Sequence, residues 1–438
     1  MWNQVRSRLA GLSALLKTKT PPEMVVYQTA QLQRIIQHAY HKVPYYRQLF
    51  DQHSIEPQRI KTIADLALIP ITTRKTVQSQ PVKQIIAQGL NPTHLLAVTT
   101  GGSSGIPLTI YRTWLEERLL NQFRWRTFSV YGWQASDKIC EVRFLYNTQG
   151  ENQQIQNFIQ RLNYYQRVAI NCFLPVDQII AQLGQHRPDI IGGLPMVMER
   201  VAQAVLAQDC AITPPKFIVA GGEVMTQQMQ QTISNAFKAP VFNIYGSNEF
   251  NMLAWQCPQS ANFHVCEDNV IIEILKEGKP VAVGESGEMI VTGLNSFSMP
   301  FIRYHLGDLV TKGEACGSCG LPYATIRQVV GRMLDYLVLA DGREVHPITL
   351  IPLIRDVTWI KGYRLIQETV DHLSFNVIPT HKPTIEQENT FKEQICTILQ
   401  APMRIDLYYV DELTLEKSGK FRIFQSRVRS VYREVTTS

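Results

Sequence analysis

The chain of 438 residues has no stretch approaching the ~18 consecutive apolar residues of a membrane-spanning helix. That excludes an integral membrane protein of the helical kind. It has no run of Lys and Arg, although its net charge is +6, so no basic footprint for nucleic acid is present. The N-terminal segment MWNQVRSRLAGLSALLK lacks the continuous apolar core and small-residue cleavage site of a signal peptide. Trp2, Val5, Leu9, Leu12 and Leu16 stand there at helical spacing, which predicts an amphipathic helix packed on the body. With no export signal the expected compartment is the reducing cytoplasm, so the eight cysteines are expected to form no disulfides. Internal repeats and low-complexity tracts are also missing. What is present, 45% hydrophobic and 18% charged residues, suits a soluble globular protein of enzyme size with two or more domains.

The apolar pattern predicts an α/β body. Tyr27, Leu32, Ile35, Ile36 and Ala39 share one face of a helix over 25–50 that closes at the Val43-Pro44 step. A helix start is expected near Thr72 or Thr73, and Leu115–Phe128 reads as a helix rich in Arg and aromatics. From about 139 to 330, apolar runs at Ile139–Leu145, Ile190-Ile191, Phe217–Ala220 and Val241–Tyr245 alternate with helical patterns over 152–162, 176–185, 195–207 and 226–238. Such alternation argues a mostly parallel sheet. Past 269 the helices stop. Asn269–Leu275, Glu288–Leu294 and Ile302–Val310 read as strands of an antiparallel β-barrel or sheet appended to the α/β body, followed by Ala324–Val330 and a hairpin around Asp341-Gly342. The last hundred or so residues predict a small α+β domain. In it Gly362–Gln367, His372–Ile378 and Arg404–Val410 are strands and 384–400 a helix.

The densest local signal is VTTGGSSGIP at Val98–Pro107, which carries Thr99, Thr100, Gly101, Gly102, Ser103, Ser104 and Gly105. A strand entering such a segment can turn tightly and aim backbone N–H groups and hydroxyls at an anion. No Gly-Lys-Ser/Thr ending follows, so this is not a Walker A loop. Alone, a Gly/Ser-rich loop is more often an ordinary connection. Five further segments change that reading. They are Ala220-Gly221-Gly222-Glu223, Tyr245-Gly246-Ser247-Asn248-Glu249, Arg303–Asp308, Gly331-Arg332-Met333-Leu334-Asp335 and Ser418-Gly419-Lys420. The first four place a Gly and a charged or hydroxyl side chain at or just past a strand end, where open α/β sheets build ligand sites.

In this set and order the chain resembles the adenylate-forming superfamily of acyl-CoA synthetases and adenylation domains, in particular the phenylacetate-CoA ligase and CapK-like branch. The likeness runs from VPYYRQLF at 43–50 to the end. The branch's loop is TTGGSTG; here Ser104 stands where Thr is usual, and the hydroxyl is kept. The resemblance implies two half-reactions: a carboxylic acid and ATP give acyl-AMP and pyrophosphate, and a nucleophile, often the CoA thiol, then takes the acyl group. It implies that Glu249 helps hold Mg²⁺, a hard ion suited to carboxylate and phosphate oxygens. Thr99, Thr100, Ser103 and Ser104, with the N–H groups of Gly101, Gly102 and Gly105, are then expected to cradle the β- and γ-phosphates. Gly221, Gly222 and Glu223, with Tyr245 and the Gly246-Ser247 turn, flank the adenine. Asp308 accepts from both ribose hydroxyls. Arg332 sits near ribose and phosphate, and Lys420 bridges the α-phosphate and the attacking carboxylate. Read without the resemblance, Glu249 and Asp308 are equally turn residues, and Lys420 a solvated charge. The implied division is 1–334 for a large ATP- and acyl-substrate-binding domain and 335–438 for a mobile domain, with Asp335 as the hinge.

Cys257 and His264, in CPQSANFH, and the CGSC pair Cys316 and Cys319 make a Cys₃His set. That is a tetrahedral structural zinc arrangement, and several members of the resembled branch carry one here. Cys266 is the spare ligand. The competing readings are an acyl-CoA synthetase, an adenylating ligase that passes the acyl group to an amine, a sugar or a carrier protein, and a nucleotide-binding protein without catalysis. Retained Glu249, Asp308, Arg332 and Lys420 argue against the third. Phe144, Tyr146, Leu194, Pro195 and Met196 are pocket candidates that point to an apolar or aromatic carboxylate. The expected partners are that small acid and its acceptor, with homodimerisation left open.

Overall fold

Proline opens the first two helices among the described residues and separates them. Pro21 begins α1 (Pro21–Lys42), where the Glu23 carboxylate accepts from both the backbone N–H and the hydroxyl of Thr20. Pro44 begins α2 (Pro44–Gln52) and holds Val43 extended between them. The single helix expected over 25–50 is therefore two. The computed structural model describes residues 19–99, 108–143, 166–208, 212–223, 225–332, 337–345, 350–413 and 424–428. The helices expected at the N-terminus and over 152–162 lie outside these. Thr73 caps α3 (Arg74–Gln78) by accepting from the Thr76 N–H, and α4 (Val82–Ile85) follows.

Next comes a two-stranded antiparallel ribbon, β1 (Leu96–Thr99) and β2 (Thr109–Arg112), whose last pair is Thr99 with Thr109. It is separate from the main sheet. A full capping box between Thr113 and Glu116 starts α5 (Trp114–Val130).

The parallel strands are β3 (Ile139–Arg143), β4 (Arg167–Asn171), β5 (Ile190–Gly193), β6 (Phe217–Gly221) and β7 (Val241–Ser247). They pair in the order β4-β3-β5-β6-β7. Helices α6 (Val176–His186), α7 (Pro195–Gln208) and α8 (Gln227–Phe237) lie between β4 and β7 in the chain, as the alternation predicted. The antiparallel strands are β8 (Asn251–Gln256), β9 (Phe263–Val265), β10 (Val270–Lys276), β11 (Lys279–Pro280), β12 (Ser286–Gly293), β13 (Tyr304–Lys312) and β14 (Thr325–Arg332). They do not close into a barrel of their own. β8 turns back on β7, and the three residues of β9 pair with β8 on one side and β14 on the other. Twelve strands thus form one mixed sheet, β11-β10-β12-β13-β14-β9-β8-β7-β6-β5-β3-β4. Continuous hydrogen bonding across β9 is what turns an expected second body into an extension of the first.

Side chains of α1 and α2 such as Leu32, Ile35 and Phe50 share one core with Leu253, Met289, Phe301 and Tyr304 of the antiparallel half. Phe128 of α5 packs on Ile139, Ile190 and Phe217 of the parallel half. A buried ion pair, Arg126 to Asp268, sits beside the cluster of Met24, Phe123 and Trp255. The Tyr27 hydroxyl donates to the Asp268 carbonyl at 3.2 Å. Arg126→Met is expected to cost about 3 kcal/mol in urea unfolding, because it strands a buried carboxylate. Lys19, at 3.8 Å from Asp268, offers only a distant substitute.

The chain divides into two compact units, Met1–Leu306 with Val310–Val329, and Gly307–Leu309 with Val330–Ser438. The second contains the hairpin β15 (Leu337–Val338) and β16 (Glu344–Val345), with Gly342 in the left-handed region at φ 83°. After α9 (Ile351–Asp356) come β17 (Ile360–Thr369), β18 (His372–Pro379), α10 (Ile385–Leu399), β19 (Arg404–Tyr409) and β20 (Phe424–Ser426). The four strands pair as β19-β18-β17-β20. Phe391 of α10 meets Trp359 and Phe375 edge-on, with ring centroids 5.5 and 5.4 Å apart. Among the described residues no helix is long and apolar enough to cross a membrane.

Candidate active site and metal centre

The YGSNE turn connects β7 to β8, and its shape depends on Gly246. A Cβ there would lie 2.0 Å from the Asn251 carbonyl oxygen, so only glycine lets the two backbones approach. Gly221, at the end of β6, is under the same constraint from the Ile244 carbonyl at 2.5 Å. The turn delivers a buried carboxylate. Glu249 is 5% exposed. The Tyr304 hydroxyl donates to its Oε1 at 3.4 Å, and Arg74 Nη1 stands 4.0 Å away. These are thin contacts for a buried acid. The nearby Ser247 hydroxyl is also buried and has no hydrogen-bond partner among the described residues. A carboxylate so lightly held beside an unsatisfied hydroxyl fits a polar ligand with a hard cation.

Arg112, not singled out from the sequence, joins this turn to the ribbon. It ends β2, the strand that leaves the Gly/Ser-rich segment. One of its nitrogens is 3.1 Å from Glu117 on α5. The other donates to the carbonyls of Asn248 and Glu249, the latter at 2.8 Å. Burial lowers its pKa, and Glu117 and Glu249 oppose that shift. Tyr304 and Arg74 were missed as well. Arg74 follows the Thr73 cap, and Tyr304 sits inside the RYHLGD segment, but nothing in either spacing points to Glu249. Arg303, in the left-handed region at φ 45°, sets the start of β13 through a paired contact with Glu273 at 2.9 and 3.0 Å.

The other expected residues fall as follows. Glu223 accepts from the Met196 N–H at 3.2 Å at the start of α7. The Tyr245 hydroxyl contacts the Met289 sulfur at 3.6 Å. Asp308 is buried in β13, one residue after Gly307 at φ 84°. Arg332 ends β14. Thr100–Gly105, Asp335 and Lys420 lie outside the described residues, as do Phe144 and Tyr146.

The Cys₃His set is brought together. The ligand atoms of Cys257, His264, Cys316 and Cys319 all lie within 4.8 Å of one another. Sulfurs of Cys257 and Cys316 are 3.7 Å apart, those of Cys316 and Cys319 3.3 Å, and Cys319 is 3.3 Å from His264 Nε2. Tetrahedral zinc with thiolate bonds of about 2.3 Å requires edges of roughly 3.8 Å, so the set fits that ion with little adjustment. Burial lowers the His264 pKa, favouring the neutral imidazole that ligates metal, against an opposing backbone contact from Tyr323. The Ser318 hydroxyl, followed by Cys319, holds the Cys316 thiol down to about 6. Cys266 is not a spare ligand: its sulfur accepts from Arg126 at 3.3 Å and donates to Asp268. The four ligands come from the end of β8, from β9 and from the connection between β13 and β14, so they join the strands on both sides of the three-residue β9.

Residues 337–427 match the CapK C-terminal domain family. The chain is 22% identical over 349 residues to the phenylacetate-coenzyme A ligase of Thermus thermophilus, across 76% of this chain and 75% of that one. It is 22% identical over 361 residues to Protein CapK of Staphylococcus aureus, across 75% and 72%. Among solved structures, 2-hydroxyisobutyryl-CoA ligase in the postadenylation state with 2-HIB-AMP superposes with a TM-score of 0.76 at 18% identity, covering 96% of this chain and 93% of that one. The fold is that of the adenylate-forming ligases. In sequence the chain is similar to phenylacetate-CoA ligases and to CapK.

Proposed function

We propose that this protein is an AMP-forming carboxylate ligase of the cytoplasm, and that the buried, thinly contacted Glu249 carboxylate at the β7–β8 turn marks its nucleotide site. ATP and a small carboxylic acid give acyl-AMP and pyrophosphate; CoA thiol then takes the acyl group and AMP leaves. Glu249 would hold magnesium, which would screen the charge of the triphosphate that otherwise repels the incoming carboxylate. Thr99–Gly105 hold the phosphates. Asp308 accepts from the ribose hydroxyls. Gly221, Gly222, Glu223, Tyr245, Gly246 and Ser247 surround the base, and Arg332 faces ribose and phosphate. Arg112 keeps the exit of the phosphate segment in register with the Glu249 turn. Lys420 carries the positive charge that draws acid and α-phosphate together, and residues 335–438 rotate about Asp335 between the two steps. Cys257, His264, Cys316 and Cys319 hold a structural zinc. The alternative reading keeps adenylation but passes the acyl group to an amine, a sugar or a carrier protein.

Pyrophosphate release over a panel of carboxylic acids, with and without CoA, tests the reaction and separates the acceptors. No release with any acid rejects it. In calorimetry, Asp308→Ala is expected to weaken ATP binding by roughly 1.5–3 kcal/mol, the worth of a hydrogen bond to a charged group. Unchanged affinity overturns the ribose assignment.

A further inference from the structure

A cation beside the Glu249 carboxylate is anchored through its backbone and reaches that acid only at long range. Arg74 begins α3, and the two residues before it are fixed. Thr72 donates its N–H to the Arg303 carbonyl at 2.9 Å and accepts from the His305 N–H at 2.8 Å, a parallel bridge opposite Tyr304. Its hydroxyl donates to the Ile302 carbonyl at 2.5 Å. Thr73 then accepts from the Thr76 N–H at 3.1 Å. The strand that carries Tyr304 therefore also sets where Arg74 leaves the backbone. Both side chains reach Glu249 Oε1, Tyr304 at 3.4 Å and Arg74 at 4.0 Å. A guanidinium in full contact with a carboxylate stands at about 2.7–2.9 Å, so the Arg74 contact is a long one.

The neighbouring arginines are placed differently. Arg112 is buried, with its guanidinium on Glu117 and on the carbonyls of Asn248 and Glu249. Arg303 is buried against Glu273 and the Ile69 carbonyl. The Arg74 side chain is 21% exposed, against 7% for that of Glu249, so it runs from the buried acid toward solvent. A buried carboxylate needs a counter-charge with or without a ligand, and without nucleotide Arg74 supplies one. Once Glu249 holds magnesium, a harder and doubly charged cation meets that need, and two cations on one carboxylate repel. The triphosphate that comes with the ion is then the strongest anion within reach. Guanidinium forks fit phosphate oxygens.

We propose that Arg74 is a phosphate-binding residue of the ATP site, paired with Glu249 in the nucleotide-free protein and turned onto the β- and γ-phosphates when magnesium ATP is bound. The proposal rests on the nucleotide reading of the Glu249 turn. In adenylation an oxygen of the acid bonds to the α-phosphorus, the bond from that phosphorus to the bridging oxygen breaks, and the electron pair leaves with pyrophosphate. Arg74 meets the charge that collects there. It has no part in the second step, in which the leaving group is AMP.

The test is calorimetry of the wild type and Arg74→Met with ATP and with AMP, each in magnesium. AMP lacks the two phosphates assigned to Arg74. The variant should bind ATP on the order of tenfold or more weakly, the scale of a hydrogen bond to a charged group, and AMP unchanged. Arg74→Lys, which keeps the charge, should recover most of the loss. Lys75→Met, at the exposed next position, should alter neither. Arg74→Met should also consume prepared acyl-AMP at the wild-type rate. Loss for neither nucleotide, or equal loss for both, overturns the proposal and leaves the nucleotide site standing. The expected ATP-selective loss without pyrophosphate release for any acid upholds the phosphate contact and rejects adenylation. A wild type that binds neither nucleotide rejects both.

Discussion

Lys420→Ala should lose adenylation by ~10²–10³-fold, the usual scale for one positioned electrostatic group, yet still consume chemically prepared acyl-AMP when given its acceptor. The reason is differential. Charge concentrates where the α-phosphate and the incoming carboxylate meet, so a cation there stabilises the transition state more than the bound substrates. In the second half-reaction that charge is already dispersed in the acyl-AMP, and on the proposed reading Lys420 is no longer needed there. Asp335→Pro, which fixes φ at the hinge, should show the reverse pattern if it traps the adenylating pose. Lys417, three residues earlier, is the control, and its removal should change little. Loss of adenylation in Lys417→Ala but not in Lys420→Ala would place the catalytic lysine in the wrong register.

Removing the metal should open the middle of the sheet. Protein purified without chelator is expected to contain about one zinc per chain by elemental analysis. Cys319→Ser, which takes away the sulfur next to both His264 and Cys316, should lose it. Structural zinc contributes on the order of 10 kcal/mol in small zinc domains; in this much larger unit only part of that should appear as lost stability, concentrated near the ligands. Hydrogen exchange should rise first over 254–265 and 325–326, where β9 pairs on each side through only a few residues. A metal-free protein with unchanged melting temperature and exchange would refute the assignment.

Much of the fold was legible because its signals are local. Thr73 before Arg74, proline after Val43, and alternating apolar runs and helices each specify an element within a few residues. The Cys₃His set was legible because CGSC is a compact pattern. Other features depend on contacts between residues distant in sequence. The antiparallel strands read as a separate barrel because nothing in Phe263–Val265 reveals that three residues pair on both sides. Arg112 was not singled out in the sequence; only folding brings it against carbonyls 136 and 137 residues away.

The ribbon of β1 and β2 pairs with no strand of the twelve-stranded sheet. A residue gained or lost in a sheet strand shifts register and turns its side chains to the wrong face. A change in the ribbon reaches less of the sheet, because among the described residues its two strands pair only with each other. The segment proposed to hold phosphate joins these two strands in the chain, and Ile110 of β2 ties them to the main core. Arg112 limits such changes: it must keep its grip on the Glu249 turn whatever the loop beyond it becomes.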